Sequence, residues 1–216
     1  MADKIAALVQ MPLFGHRALF RDPVFDADDK ALSAVYSAFK PWNIALENIT
    51  LKENPATLGE EATTFSLFSG RFLFNVNAGG CGLLVRDPNW SEADLIMNIA
   101  GAGIAAVLGA THGVVDKQVA SITMHLTPRT GTIREITSPF VKIDADHFPG
   151  GSIKSFGFSL YREDFTWVVD ASAAFPNSLF LRMDRWFRPD ISLEQIARQL
   201  NEDEAKVLSV LGLEVN

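Results

Sequence analysis

An α+β fold built on antiparallel sheet, with a long central helix set among the strands, is what this sequence predicts. Three observations carry that expectation. One is the run Leu95–Val115, LIMNIAGAGIAAVLGATHGVV, which holds no charged side chain. Another is the series of alternating apolar and polar segments on both sides of it. The third is a set of Gly- and Asn-rich turns that join those segments. Strands grouped in series between isolated helices indicate antiparallel pairing, not a doubly wound parallel sheet. The α+β body is expected to cover 1–189. Its halves, 1–115 and 116–189, share a pattern that admits a duplicated helix-on-sheet unit, without a residue-level repeat. Residues 190–216 are predicted to form a helical hairpin packed on that body.

The elements follow in order. The opening MADKIAALVQMPLFG holds a short apolar segment, but Asp3 balances its lysine and no small-residue cleavage site follows, so a signal peptide is not expected. A first helix is predicted over Asp28–Lys40, because Asp26, Asp28 and Asp29 suit a positive helix N-terminus and Pro41 stops it. Strands are predicted over Trp42–Leu51, Ala62–Ser69, Arg71–Asn77 and Cys81–Arg86, the last two joined by the turn Asn77-Ala-Gly-Gly80. Ser91-Glu-Ala-Asp94 reads as a capping box opening the central helix, and Gly113 as its end. Val119–Thr127 alternates cleanly, with Ala120, Ile122, Met124 and Leu126 on one face and Ser121, Thr123, His125 and Thr127 on the other. After the turn Pro128–Gly131, strands are predicted over Ile133–Val141, Ser152–Arg162, Phe165–Asp170 and Ser178–Phe187. Two short helices close the chain, one capped by Ser192-Leu-Glu-Gln195 and one starting after Asn201 and ending at Gly212. Lys52–Glu61 and Ile143–Gly151 are the most loop-like stretches.

The central run is sorted by size. At about 100° per residue, Ile96, Met97, Ile99, Ile104, Val107 and Leu108 fall on one half of the helix. Asn98, Gly101, Ala102, Ala105, Gly109 and His112 fall on the other. The helix is expected to be buried on all sides, bulky residues on the sheet and small ones against a neighbour. A membrane span is disfavoured by three internal glycines, Asn98 and the flanking acids Glu92, Asp94 and Asp116. Within it, Ala100-Gly-Ala-Gly-Ile-Ala-Ala106 resembles the glycine fingerprint of flavin- and NAD-binding Rossmann proteins. The next acid, Asp116, follows too soon for a helix and a second strand to intervene, so no dinucleotide and no other cofactor is expected. Gly101, Ala105 and Gly109 instead form a small-residue ridge suited to close helix approach.

A net charge of −7 argues against a basic nucleic-acid footprint and an anionic membrane surface. One cysteine, Cys81, forms no internal disulfide, which fits a reducing cytosol. Ser192–Gly212 resembles a helix-turn-helix, yet its second helix would open with Glu202-Asp203-Glu204 facing phosphate, so DNA binding is not expected. Asp144, Asp146 and His147 form a D-x-D-H cluster and are the candidate ligand or metal residues, although Phe148 and Pro149 break an EF-hand pattern. His125 would act as a base only with a carboxylate such as Asp170 in reach. His16 and His112 have no sequence neighbours that suggest chemistry. On the last strand Phe180, Arg182 and Trp186 share a face of the kind enriched at protein interfaces. No common hydrolase, phosphate-loop or zinc motif is present. The expected role is therefore binding or assembly in the cytosol, as a homodimer or with a protein partner, with Gly101, Ala105, Gly109, Phe180, Arg182 and Trp186 at the interface. A small-molecule site or enzyme with a polar cleft is the alternative.

Overall fold

The computed structural model describes residues 4–24, 29–53, 61–140 and 157–215. Its elements run β1 (Ile5–Phe20), α1 (Asp29–Phe39), β2 (Ile49–Glu53), β3 (Glu61–Leu67), β4 (Phe72–Asn77), β5 (Gly80–Arg86) and α2 (Ala93–Thr111). They continue with β6 (Val115–Pro128), α3 (Ile133–Thr137), β7 (Phe158–Arg162), β8 (Phe165–Ala171), β9 (Leu179–Phe187), α4 (Leu193–Val210) and β10 (Leu213–Val215). The strand order is β2-β3-β4-β5-β1-β6-β9-β8-β7, with β10 beside β1. This is α+β with antiparallel sheet, as predicted; β10 alone among the registered pairs runs parallel to its neighbour.

The chain forms two compact units. The larger holds Leu13–Ser121 and Trp186–Ala197; the smaller holds Met1–Pro12, Ile122–Arg185 and Arg198–Asn216. β1, β6, β9 and α4 therefore contribute residues to both.

In the larger unit, β2 to β5 form an antiparallel meander that ends on β1. Alternation along β4 buries Phe72, Phe74 and Val76 on one face, beside Phe65 of β3 and Leu83 of β5. α1 and α2 cover that face. Phe39 of α1 meets Phe74 and Phe65 edge-on, with ring centroids 5.2 and 5.9 Å apart. Gly103 lets α2 come down on this cluster, since a Cβ there would lie 2.6 Å from Phe74 Cζ and 2.9 Å from Phe39 Cζ. Gly80 and Gly82 do the same for the sheet, because a side chain at either would overlap the carbonyl oxygen of Ala18 or His16 on β1.

α2 corrects the prediction of a helix buried on all sides. Ile96, Ile99, Ala100, Gly103 and Val107 are buried, whereas Asn98, Ala105 and Gly109 are exposed. An uncharged run reads as core, but glycine and alanine carry so little apolar area that exposing them costs little. By length and composition this helix would suffice to cross a membrane (mean hydropathy 1.7); here its bulky side is seated on the aromatic cluster. The Ser91–Asp94 capping box is also absent. Glu92 is the N-cap and its carboxylate is held by Arg71, while Asn89 Oδ1 accepts the Ser91 N–H at 2.9 Å. The helix ends one residue before the predicted stop, because His112 rather than Gly113 takes the left-handed cap (φ 56°) and donates to Leu108 O.

The predicted strand Trp42–Leu51 is also corrected. Lys40–Trp42 and Leu46–Asn48 are 3-10 turns, and pairing starts only at Ile49. Asn43 adopts a left-handed conformation, and Asn48 Oδ1 accepts the Ala45 N–H at 3.1 Å, so local side-chain bonds win over sheet.

In the smaller unit, Ile122, Met124 and Leu126 of β6 and Leu179, Leu181 and Met183 of β9 are buried, each set by strict alternation. β7, β8 and β9 form a second meander. The predicted strand Ile133–Val141 is instead a one-turn helix over Ile133–Thr137. Thr132 Oγ1 accepts the Glu135 N–H and Glu135 accepts the Thr132 N–H, closing a capping box. The predicted C-terminal hairpin is one continuous helix, α4, passing through Asn201 without a turn. Its start is as expected: Ser192 and Gln195 exchange capping bonds of 3.0 and 3.2 Å. It continues because Asp203 faces inward, where Arg185 Nη1 donates to it at 2.8 Å and Gln199 Nε2 at 3.1 Å. β10 and β1 were not foreseen. β1 is interrupted by a left-handed Met11 (φ 47°) ahead of Pro12, so the alternation of its second half, with His16, Ala18 and Phe20 buried, does not run through the whole strand.

Candidate functional site

His125 lies in the smaller unit, on the half-buried face of β6. Its Nδ1 is 2.9 Å from Ser172 Oγ. That oxygen also accepts the backbone N–H groups of Ala174 (3.1 Å) and Phe175 (2.9 Å). With both lone pairs engaged, the serine hydroxyl donates to Nδ1, which leaves the ring proton on Nε2. The imidazole is held between Phe175 and Phe180, with centroids at 5.1 and 5.4 Å. Beside it, Thr127 Oγ1 donates to Gln10 Oε1 at 3.0 Å and lies 2.6 Å from Ser178 Oγ. Ser172 Oγ is thus fully engaged, donating to His125 and accepting two backbone N–H groups of its own turn. What the arrangement offers is a fixed N–H donor between two phenyl rings.

Asp170, the expected carboxylate partner, does not join His125. It is exposed on β8, and its Oδ1 accepts the Ala171 N–H at 2.7 Å. Asp144, Asp146 and His147 lie outside the described residues. Among the described residues no group of three or more His, Cys, Asp or Glu side chains is placed to hold a metal. The Rossmann-like glycines Gly101 and Gly103 lie inside α2 and not at the turn between β5 and that helix, where the fingerprint would need them.

The proposed interface residues separate. Phe180 packs on His125, and Arg182 donates to Asp184 Oδ2 at 2.8 Å. Trp186 is half-buried and belongs to the larger unit. On α2, Gly101 is approached by Leu193 Cδ1, 3.6 Å from where a Cβ would stand, while a Cβ at Gly109 would meet nothing within 4 Å. Cys81 is buried and its thiol is pushed up to about 12 by desolvation, as an inert core residue.

No protein-family model and no curated protein matches this chain. The geometry alone carries the functional reading.

One side chain was missed from sequence. His16, 1% exposed, stands on the core face of β1 and is 2.9 Å from Gln118 Oε1 through Nε2. Gln118 Nε2 in turn faces the carbonyls of Ile191 (2.8 Å), Pro189 (3.1 Å) and Arg188 (3.4 Å). Three acceptors around the amide nitrogen fix the amide's orientation, so Oε1 accepts and His16 Nε2 donates. His16 Nδ1 is then a buried lone pair with no partner. Burial holds this imidazole below its ordinary value, a shift the Gln118 bond only partly opposes. A polar pair 102 residues apart in sequence leaves no local signal.

Proposed function

We propose that this chain acts by binding and assembly, with the smooth face of α2 meeting a second copy of itself. The observation that supports this reading is the exposure of Asn98, Ala105 and Gly109 on a helix that carries no charge from Leu95 onward. A neighbouring backbone meets neither bulk nor charge there, which favours close helix contact, and a two-fold dimer is the commonest way to use such a face. The setting we propose is a soluble, cytosolic one without nucleic acid or membrane, in keeping with the net charge of −7 and the single buried cysteine. A duplicated origin is part of the proposal. A long strand, a helix, an antiparallel meander and a second helix occur in that sequence twice, over β1 to α2 and over β6 to α4.

Light-scattering mass tests the assembly. The wild type is expected to be dimeric, and Ala105→Glu, at a position exposed in the single chain, is expected to weaken the dimer about a hundredfold by placing like charges across the contact. A monomeric wild type, or an unaffected Ala105→Glu, sinks this reading. Trp186→Ala separates it from a contact through β9.

A second reading is favoured by the His125 arrangement: a small ligand with a hydrogen-bond acceptor and an apolar body. Native mass spectrometry of the purified protein would detect such a ligand, and His125→Phe should lose it.

A further inference from the structure

We propose that His16 and Gln118 form a proton-operated latch on the segment Arg188–Leu193, and that acid releases this segment from the Gly101 end of the α2 face. The chain of contacts lies within the larger unit. Gln118 is the side chain that gathers the carbonyls of Arg188, Pro189 and Ile191, and His16 fixes the orientation of Gln118. Leu193, at the end of the same segment, packs on the core and on Gly101. The latch in its closed state requires neutral His16, since a proton on Nδ1 would be a buried charge without an acceptor.

Among the described residues no acidic group is placed to compensate that charge. On β5, Leu83 pairs opposite His16, and Cys81, two residues away, is a buried thiol. β6 supplies Gln118, with Asp116 and Lys117 exposed; β1's own Arg17 is exposed on the opposite face. In the segment, Arg188 and Asp190 are exposed and 3.5 Å from each other. α2 contributes no charge between Leu95 and Thr111.

The sign follows from linkage. His16 in the closed form binds its proton less readily than a solvated imidazole, whose value is 6.5. Above that pH both forms are neutral and opening is pH-independent. Below it the open form takes up the proton first, so opening rises as pH falls until the closed form also titrates. Between pH 7.5 and 5.5 the opening constant is expected to rise about tenfold.

Amide hydrogen exchange, corrected for intrinsic pH dependence, reads this directly. Peptides covering 186–197 should lose about tenfold of their protection at pH 5.5, while those covering β4 and β5 keep theirs. In His16→Gln, which retains a donor and does not titrate, the loss should vanish. Unchanged protection in the wild type, an equal loss in His16→Gln, or an equal loss in β4 and β5 overturns the latch. If His16→Gln does not fold, nitrogen NMR of the wild-type imidazole decides. An Nε2–H tautomer at pH 7.5 whose titration tracks the loss of protection supports the latch, and an Nδ1–H tautomer refutes it. The consequence for assembly rests on docking through α2. A dimer that dissociates at lower concentration at pH 5.5 than at pH 7.5, read by dilution, supports it, whereas an open segment with an unchanged dimer dissociation constant overturns the covering of a docking face and leaves the latch standing.

Discussion

The two units secure a helix on a sheet by different chemistry. In the larger one, α2 descends on rings: Gly103 removes the side chain that would collide with Phe74 and Phe39, so its middle is seated by apolar contact, and only its N-cap carries an ion pair, Glu92 to Arg71. In the smaller one, the 198–210 portion of α4 is tied by a charge pair, Asp203 to Arg185, whose guanidinium also reaches Asp164 at 3.3 Å and lies 5.5 Å from the centre of the Phe165 ring. Apolar packing tolerates small adjustments but loses heavily when volume is removed. A buried ion pair contributes little net stability while intact, and is costly when only one partner remains.

Phe74→Ala is expected to give the largest effect, about 4 kcal/mol by urea denaturation, because it empties the space around which Phe39, Phe65 and Gly103 are arranged. Asp203→Ala should follow at about 3 kcal/mol, since Arg185 would be left largely enclosed without its closest acceptor. Replacing Asp203 and Arg185 together by apolar residues of similar size should recover most of that loss. If the double replacement is no better than the single one, α4 is held by packing, as α2 is, and the contrast between the units fails. Ser172→Ala is the smallest, about 1 kcal/mol, with a second readout. The His125 ring should lose its fixed Nε2–H form in NMR while the larger unit stays unchanged.

Legibility in the sequence followed the same division. The β4–β5 hairpin, the buried face of β6 and the start of α4 were readable, because turn glycines, strict alternation and a capping box are local signals. The Thr132-x-x-Glu135 signature of α3 is equally local, and reading Ile133–Val141 as a strand passes over it. Asn201 looked like a helix start only because the inward role of Asp203 depends on Arg185, 18 positions earlier. The His125–Ser172 contact spans 47 positions and the His16–Gln118 contact 102, distances at which side-chain pairing is set by sheet register and not by neighbours in sequence. The solvent face of α2 was misjudged for another reason. Hydropathy counts the absence of charge, whereas burial follows area, and a stripe of glycine and alanine has little of it.

β10 has an implication for biosynthesis. Leu213, Glu214 and Val215 align in parallel with Ile5, Ala6 and Ala7, so this end of β1 waits for a partner made roughly two hundred residues later. Domains generally close as they emerge from the ribosome, at about 5–20 residues per second. Residues 13–121 can therefore begin to condense while the bulk of the remainder is still being polymerised. The edge of β1 at Ile5–Ala7 stays open for that interval of about ten to forty seconds, a window in which a nascent-chain chaperone would find it.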